Sequence, residues 1–133
     1  MPLYYTGSVA PIINHSGDII RMTKNGGGAF SVDSIDLADA FLGQFQFQVA
    51  FVGTRADNST VTEYLTVTSP SALTTYSFAN MTDLVRFEWG QGGAFYHQFD
   101  NVGVAAVPEP ASMAALALGL AAVSNRRRRR VQS

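Results

Sequence analysis

The sequence predicts an all-β protein, an antiparallel β-sandwich followed by a single short apolar helix. Three observations predict it. Short apolar–polar alternations recur through residues 1–105 at roughly 8–12-residue spacing. Clusters of Gly, Asn, Asp, Ser and Pro punctuate them. Beyond that body, residues 111–124 are uncharged and rich in Ala and Leu, both strong helix formers. Strict alternation further predicts that each sheet keeps one face toward water.

Taken in order, residues 18–23 read as a strand, and Asn25-Gly26-Gly27-Gly28 as the turn after it. Residues 30–35 read as a second strand, with a short helical turn over residues 35–41. Phe45-Gln46-Phe47-Gln48-Val49-Ala50-Phe51 alternates cleanly and places its three Phe residues and Val49 on one face. After a turn at Ala56-Asp57-Asn58-Ser59, residues 63–67 and 75–78 are rich in β-branched and aromatic residues, with Ser69-Pro70-Ser71 between them. Asn80-Met81-Thr82-Asp83 turns into a strand over residues 85–89. There Val85, Phe87 and Trp89 are predicted to face the core, and Arg86 and Glu88 to face water. The loop Gly90-Gln91-Gly92-Gly93 precedes a last strand within residues 95–104, and the prolines of residues 105–110 make that stretch a linker. This divides the chain into a β-sandwich domain, 1–105, and a C-terminal segment, 106–133. The opening MPLYYTGSVAPII has no basic region followed by an apolar stretch, so a signal peptide and further strands are expected upstream of Met1.

Length and composition suit one domain, with 47% hydrophobic and only 14% charged residues. The absence of cysteine excludes a disulfide scaffold, a thiolate metal site and a cysteine nucleophile. Net charge is −1 but unevenly placed. All ten acidic residues lie at or before Glu109, against Arg21, Lys24, Arg55 and Arg86, a net charge of −6. Arg126 to Arg130 supply the balance. An acidic body disfavours nucleic acid as a partner.

A helix over residues 111–124 would be about 21 Å long, short of the roughly 30 Å hydrocarbon core of a bilayer. Counting residues 108–125 gives about 27 Å, and arginine stems extend the reach. The run therefore reads as a marginal transmembrane helix. The arginine block beside it holds that end in the cytoplasm and places the body across the inner membrane.

Val107-Pro108-Glu109-Pro110, the apolar run, and then Arg126, Arg127, Arg128, Arg129 and Arg130 together resemble the PEP-CTERM sorting signal of exported bacterial proteins. The resemblance implies processing by an exosortase-type membrane enzyme. It makes Pro108, Glu109 and Pro110 the recognition motif, residues 111–124 a temporary anchor, and Arg126 to Arg130 a stop-transfer block. The stretches Phe30-Ser31-Val32-Asp33-Ser34-Ile35-Asp36-Leu37 and Phe99-Asp100-Asn101-Val102 resemble the jelly-roll-like domains, similar to carbohydrate-binding modules, that such proteins often carry.

Within the body, Trp89 and Tyr96 flank the Gly-rich loop. Trp89 shares a face with Phe87 and is expected in the core. Tyr96 is the candidate exposed ring for a polysaccharide, with Gln98 and Asn101 as hydrogen-bond partners. Asp100 and Asn101, clustered with His97, together with Asp33 and Asp36 offer oxygens for a structural calcium, although the alternative is ordinary turn chemistry and no EF-hand loop is present. No cofactor and no resident metal are expected. Glu88 and Asp100 as a glycosidase pair, His15 and His97 as zinc ligands, and Lys24-Asn25-Gly26-Gly27-Gly28 as a phosphate loop all lack supporting patterns, and G-x-S-x-G is absent. The expectation is a non-enzymatic protein bound for the cell surface or extracellular matrix. A carbohydrate-binding module and a fragment of an extracellular hydrolase are the alternatives.

Overall fold

The structure, a computed structural model, describes residues 11–13, 17–40, 46–68, 72–91, 96–107 and 114–123. Eight strands run in chain order: β1 (Ile12–Ile13), β2 (Ile19–Met22), β3 (Phe30–Asp39), β4 (Phe47–Arg55), β5 (Thr60–Val67), β6 (Thr74–Ser77), β7 (Leu84–Gly90) and β8 (His97–Ala106). A helix, α1, covers residues 114–123. Every predicted strand within the described residues is present. The predicted helical turn over 35–41 is not: Ile35–Asp39 continues β3, because this stretch is hydrogen-bonded to β8 on one edge and its first half to β6 on the other. A paired ladder on both sides overrides a weak local preference for a turn. Phe41 and Phe45 lie outside the described residues.

All pairings are antiparallel. One ladder runs β1-β8-β3-β6 and the other β2-β7-β4-β5, and they meet where Phe30 of β3 pairs Leu84 of β7. Their inner faces close on each other. Trp89 of β7 meets Phe99 of β8 edge-on, with ring centroids 5.0 Å apart. Phe47 of β4 approaches His97 of β8 at 6.3 Å. Phe78, just past β6, lies edge-on to Phe51 at 5.1 Å and to Phe87 at 5.4 Å. The result is a β-sandwich with an aromatic core, which also takes in Val32, Ile35, Leu37, Val49, Val67, Met81 and Leu84. Full burial of each such side chain contributes about 1.5–3 kcal/mol.

β4 follows the predicted alternation, with Phe47, Val49 and Phe51 buried and Gln48 and Ala50 exposed. β3 does not alternate throughout. Its core residues are Phe30 and Val32, then Ile35 and Leu37, so the inward parity switches once. Between Val32 and Ser34 β3 carries one residue more than β8, and between Ser34 and Asp36 the extra residue lies in β8. Two bulges thus cancel, and pairing regains its original register. Asn101 sits in the second one with a left-handed φ of 45°. A further irregularity separates the Thr54–Arg86 and Arg55–Leu84 pairs, leaving Val85 as the extra residue. Val85, predicted to face the core beside Phe87, is therefore only half-buried, and Leu84 takes the inward place.

Turn chemistry completes the frame. In the turn after β2, Gly27 donates its N–H to Lys24 O, and Gly26, Gly27 and Gly28 all have positive φ, which explains the glycine run. The β4–β5 hairpin closes with Arg55 N–H on Ser59 O and Asn58, φ 65°, in the left-handed region. Glu63 accepts the N–H groups of Ala79 and Asn80, at 3.0 and 2.7 Å, and so ties the turn before β7 to β5.

Candidate functional site

The sequence-predicted polar residues gather on the outer face of the β8-β3-β6 ladder. Asp36 pairs directly with Asp100 across β3–β8 and with Thr75 across β3–β6. Its carboxylate accepts Thr75 Oγ1–H at 2.5 Å and Asn101 Nδ2–H at 2.8 Å. Asp100 Oδ1 accepts the Asn101 backbone N–H at 2.8 Å. Like charges placed opposite each other repel, and these donors offset the repulsion. The calcium expectation needs more oxygens in one place than this: among the described residues no group of three or more His, Asp or Glu side chains comes together as a metal site. Asp33 is exposed as the extra residue of the first bulge, with its backbone O accepting Phe78 N–H.

Tyr96, Gln98 and Asn101 do not form one open surface. Tyr96 is half-buried, and its backbone O accepts Ala40 N–H. Gln98, expected on a solvated face, is buried and donates Nε2–H to Asp39 O at 3.4 Å. His97 is fully buried against Phe47. Asn101 remains exposed, with its amide on Asp36. Trp89 is a core residue, as the alternation predicts.

On the opposite ladder, Glu88 accepts Arg21 Nε–H at Oε1, 2.6 Å away, and lies 3.0 Å from Arg86 Nε through Oε2. The second contact is charge proximity without an aligned hydrogen bond. The Glu88 side chain is 18% exposed, against 61% for Arg21 and 43% for Arg86. β3 intervenes between β7 and β8 in the strand order, and each of the two carboxylates is engaged in its own local set of contacts. The arrangement does not bring Glu88 and Asp100 together as a general acid and base.

The sequence reading missed this ion triad, and it missed Tyr64, which is 64% exposed on β5. The alternation of Thr62, Tyr64 and Thr66 was the available signal for Tyr64. The pairing of Arg21 with Glu88 had none, because it depends on the β2–β7 register.

The chain leaves the sandwich at the end of β8. The strand runs to Ala106, two residues into the expected linker, and Val107 donates its N–H to Ala29 O at 3.4 Å. An apolar groove lined by Met22, Phe30, Val104 and Ala106, with Lys24 also contributing, lies beside this exit. Pro108, Glu109, Pro110 and Arg126 to Arg130 lie outside the described residues, as does His15. α1 is exposed along its whole length, including Leu116, Leu118, Leu120 and Val123. At about 15 Å it is shorter than the predicted run, and no helix among the described residues is long and apolar enough to cross a membrane.

Comparison with curated proteins and with solved structures finds no match to this chain. Residues 106–130 match the family model of the PEP-CTERM protein-sorting motif. That match begins at the last residue of β8 and runs through α1 to Arg130. The chain is thus a β-sandwich joined at the end of its last strand to a PEP-CTERM sorting motif.

Proposed function

We propose that this is a non-enzymatic exported protein whose β-sandwich is the delivered cargo and whose C-terminal segment is a disposable address. In this reading an exosortase-type enzyme recognises Pro108, Glu109 and Pro110. The apolar segment holds the chain in the inner membrane until then, and Arg126 to Arg130 stop its transfer. α1 alone is too short to span, so the anchor requires its flanking residues in the same helix. The body needs no resident cofactor and ends at the cell surface or in the extracellular matrix. The observation that carries the reading is the place of exit. The sorting motif starts where β8 stops, so cutting it away removes no core side chain.

The test is fractionation of the full chain, expressed behind a secretion signal, beside Glu109→Ala and a variant lacking Arg126 to Arg130. Both variants are expected to keep the wild-type melting temperature and to accumulate unprocessed in the membrane fraction or periplasm. Unchanged processing and delivery of both would overturn the sorting roles given to these residues.

A further inference from the structure

We propose that the outer face of the β2-β7-β4-β5 ladder binds an acidic polysaccharide, with Tyr64 as the stacking platform and Arg21 and Arg86 as the carboxylate-binding groups. Cross-strand pairs build this face in rows: Gln48 with Thr66, Ala50 with Tyr64, Val52 with Thr62 and Thr54 with Thr60. Gln48, Ala50, Tyr64, Thr62 and Thr66 are all exposed. Tyr64 is 64% exposed, and Ala50 opposite it is too small to cover an aromatic ring. A flat ring left open beside amide and hydroxyl groups suits a pyranose, which offers an apolar ring face and hydroxyls at its edge.

The next strand supplies charge. Val52 pairs with Glu88 and Thr54 with Arg86, and Arg21 pairs with Glu88 from β2. From Tyr64 to the Glu88 position is about 10 Å across the strands and about 7 Å along them, a reach covered by a few linked sugar rings. Glu88 holds both guanidinium groups on this face without neutralising them, since it supplies one negative charge to two positive ones. Half of the body's four basic residues therefore stand together on a domain of net charge −5, while Asp36 and Asp100 occupy the outer face of the other ladder. An anionic polymer is repelled from that face and admitted to this one. Arginine forks match carboxylate geometry. The binding role is independent of how the protein is sorted.

The test is affinity electrophoresis of the full chain in gels containing polygalacturonate or, separately, neutral hydroxyethylcellulose. Polygalacturonate is expected to retard the wild type in a manner that weakens with salt, and hydroxyethylcellulose is not. Tyr64→Ala should weaken the retardation at least about fivefold, Tyr64→Phe should retain it, and Arg21→Gln should weaken it with an unchanged melting temperature. Absence of retardation, equal retardation of wild type and Tyr64→Ala, or equal retardation by both polymers would overturn the proposal. So would a concentration-dependent dimer, abolished by Tyr64→Ala, in a protein that neither gel retards.

Discussion

Asn101 and Asp36 bridge the second bulge of the β3–β8 ladder: the Asn101 amide donates to Asp36 Oδ2 at 2.8 Å, from a residue whose φ is 45°. Asparagine is suited to both tasks, since it tolerates the left-handed region and carries a short donor. Asn101→Gly keeps the backbone freedom and loses the bond. Asn101→Val loses both, at a further cost of about 1–2 kcal/mol for the left-handed backbone. Melting temperatures should fall in the order wild type, Asn101→Gly, Asn101→Val. Equal stability of the two variants would show that the left-handed conformation is not being maintained.

Three glycines are expected to respond differently to alanine. At Gly53 an added Cβ would meet Leu84 Cδ2 at 2.6 Å inside the core, an overpacking that costs about 1–3 kcal/mol. At Gly90 it would meet the Asp18 carbonyl O at 2.5 Å, and backbone cannot step aside, so Gly90→Ala should loosen β2 from β7. At Gly103 its one close contact would be Ser34 Oγ, at 2.6 Å, with Ser34 N and Cβ at ordinary distances of 3.6 and 3.8 Å, so Ser34→Ala should restore the stability of Gly103→Ala. Hydrogen exchange of the β2 amides reads the second case, and a double-mutant cycle reads the third.

Phe47 and Phe87 are buried in one aromatic core, on the neighbouring strands β4 and β7. Phe→Ala at either should cost about 3–5 kcal/mol, from lost burial and the residual cavity. Phe87 also stacks on Phe51 with centroids 5.7 Å apart, so its loss should be the larger. Chemical denaturation of both variants measures this, and shifts near zero would refute the inward assignment.

Asp57 titrates below the ordinary aspartate value of 3.8, because Ser59 hydrogen-bonds to its carboxylate through side chain and backbone. The backbone bond is 2.9 Å long. A lowered folded-state value means that the stabilisation is complete above the unfolded value and is lost as pH falls through the folded one. The stability difference between wild type and Asp57→Ala should therefore stay constant from neutral pH down to mildly acidic pH and shrink only below 3.8. Melts across that range check the sign. A difference that shrinks above pH 5 would contradict it.

Local pattern was enough to locate strands β2 to β8, the inward faces of Phe47, Val49, Phe51, Phe87 and Trp89, the Gly26 to Gly28 turn, and the sorting segment, but not β1. These depend on side-chain period, on backbone freedom, or on an order of residues along one stretch of chain. The tertiary structure decided where period breaks. It carried β3 through the expected helical turn, moved Val85 out of the core, and switched parity between Val32 and Ile35. A bulge is a mismatch between two strands far apart in sequence, so neither strand announces it alone. For the same reason the alternation around Tyr96 suggested an open Gln98 that the fold buries. Meanwhile Arg21 came beside Glu88 and Arg86 only through the register of β2 against β7.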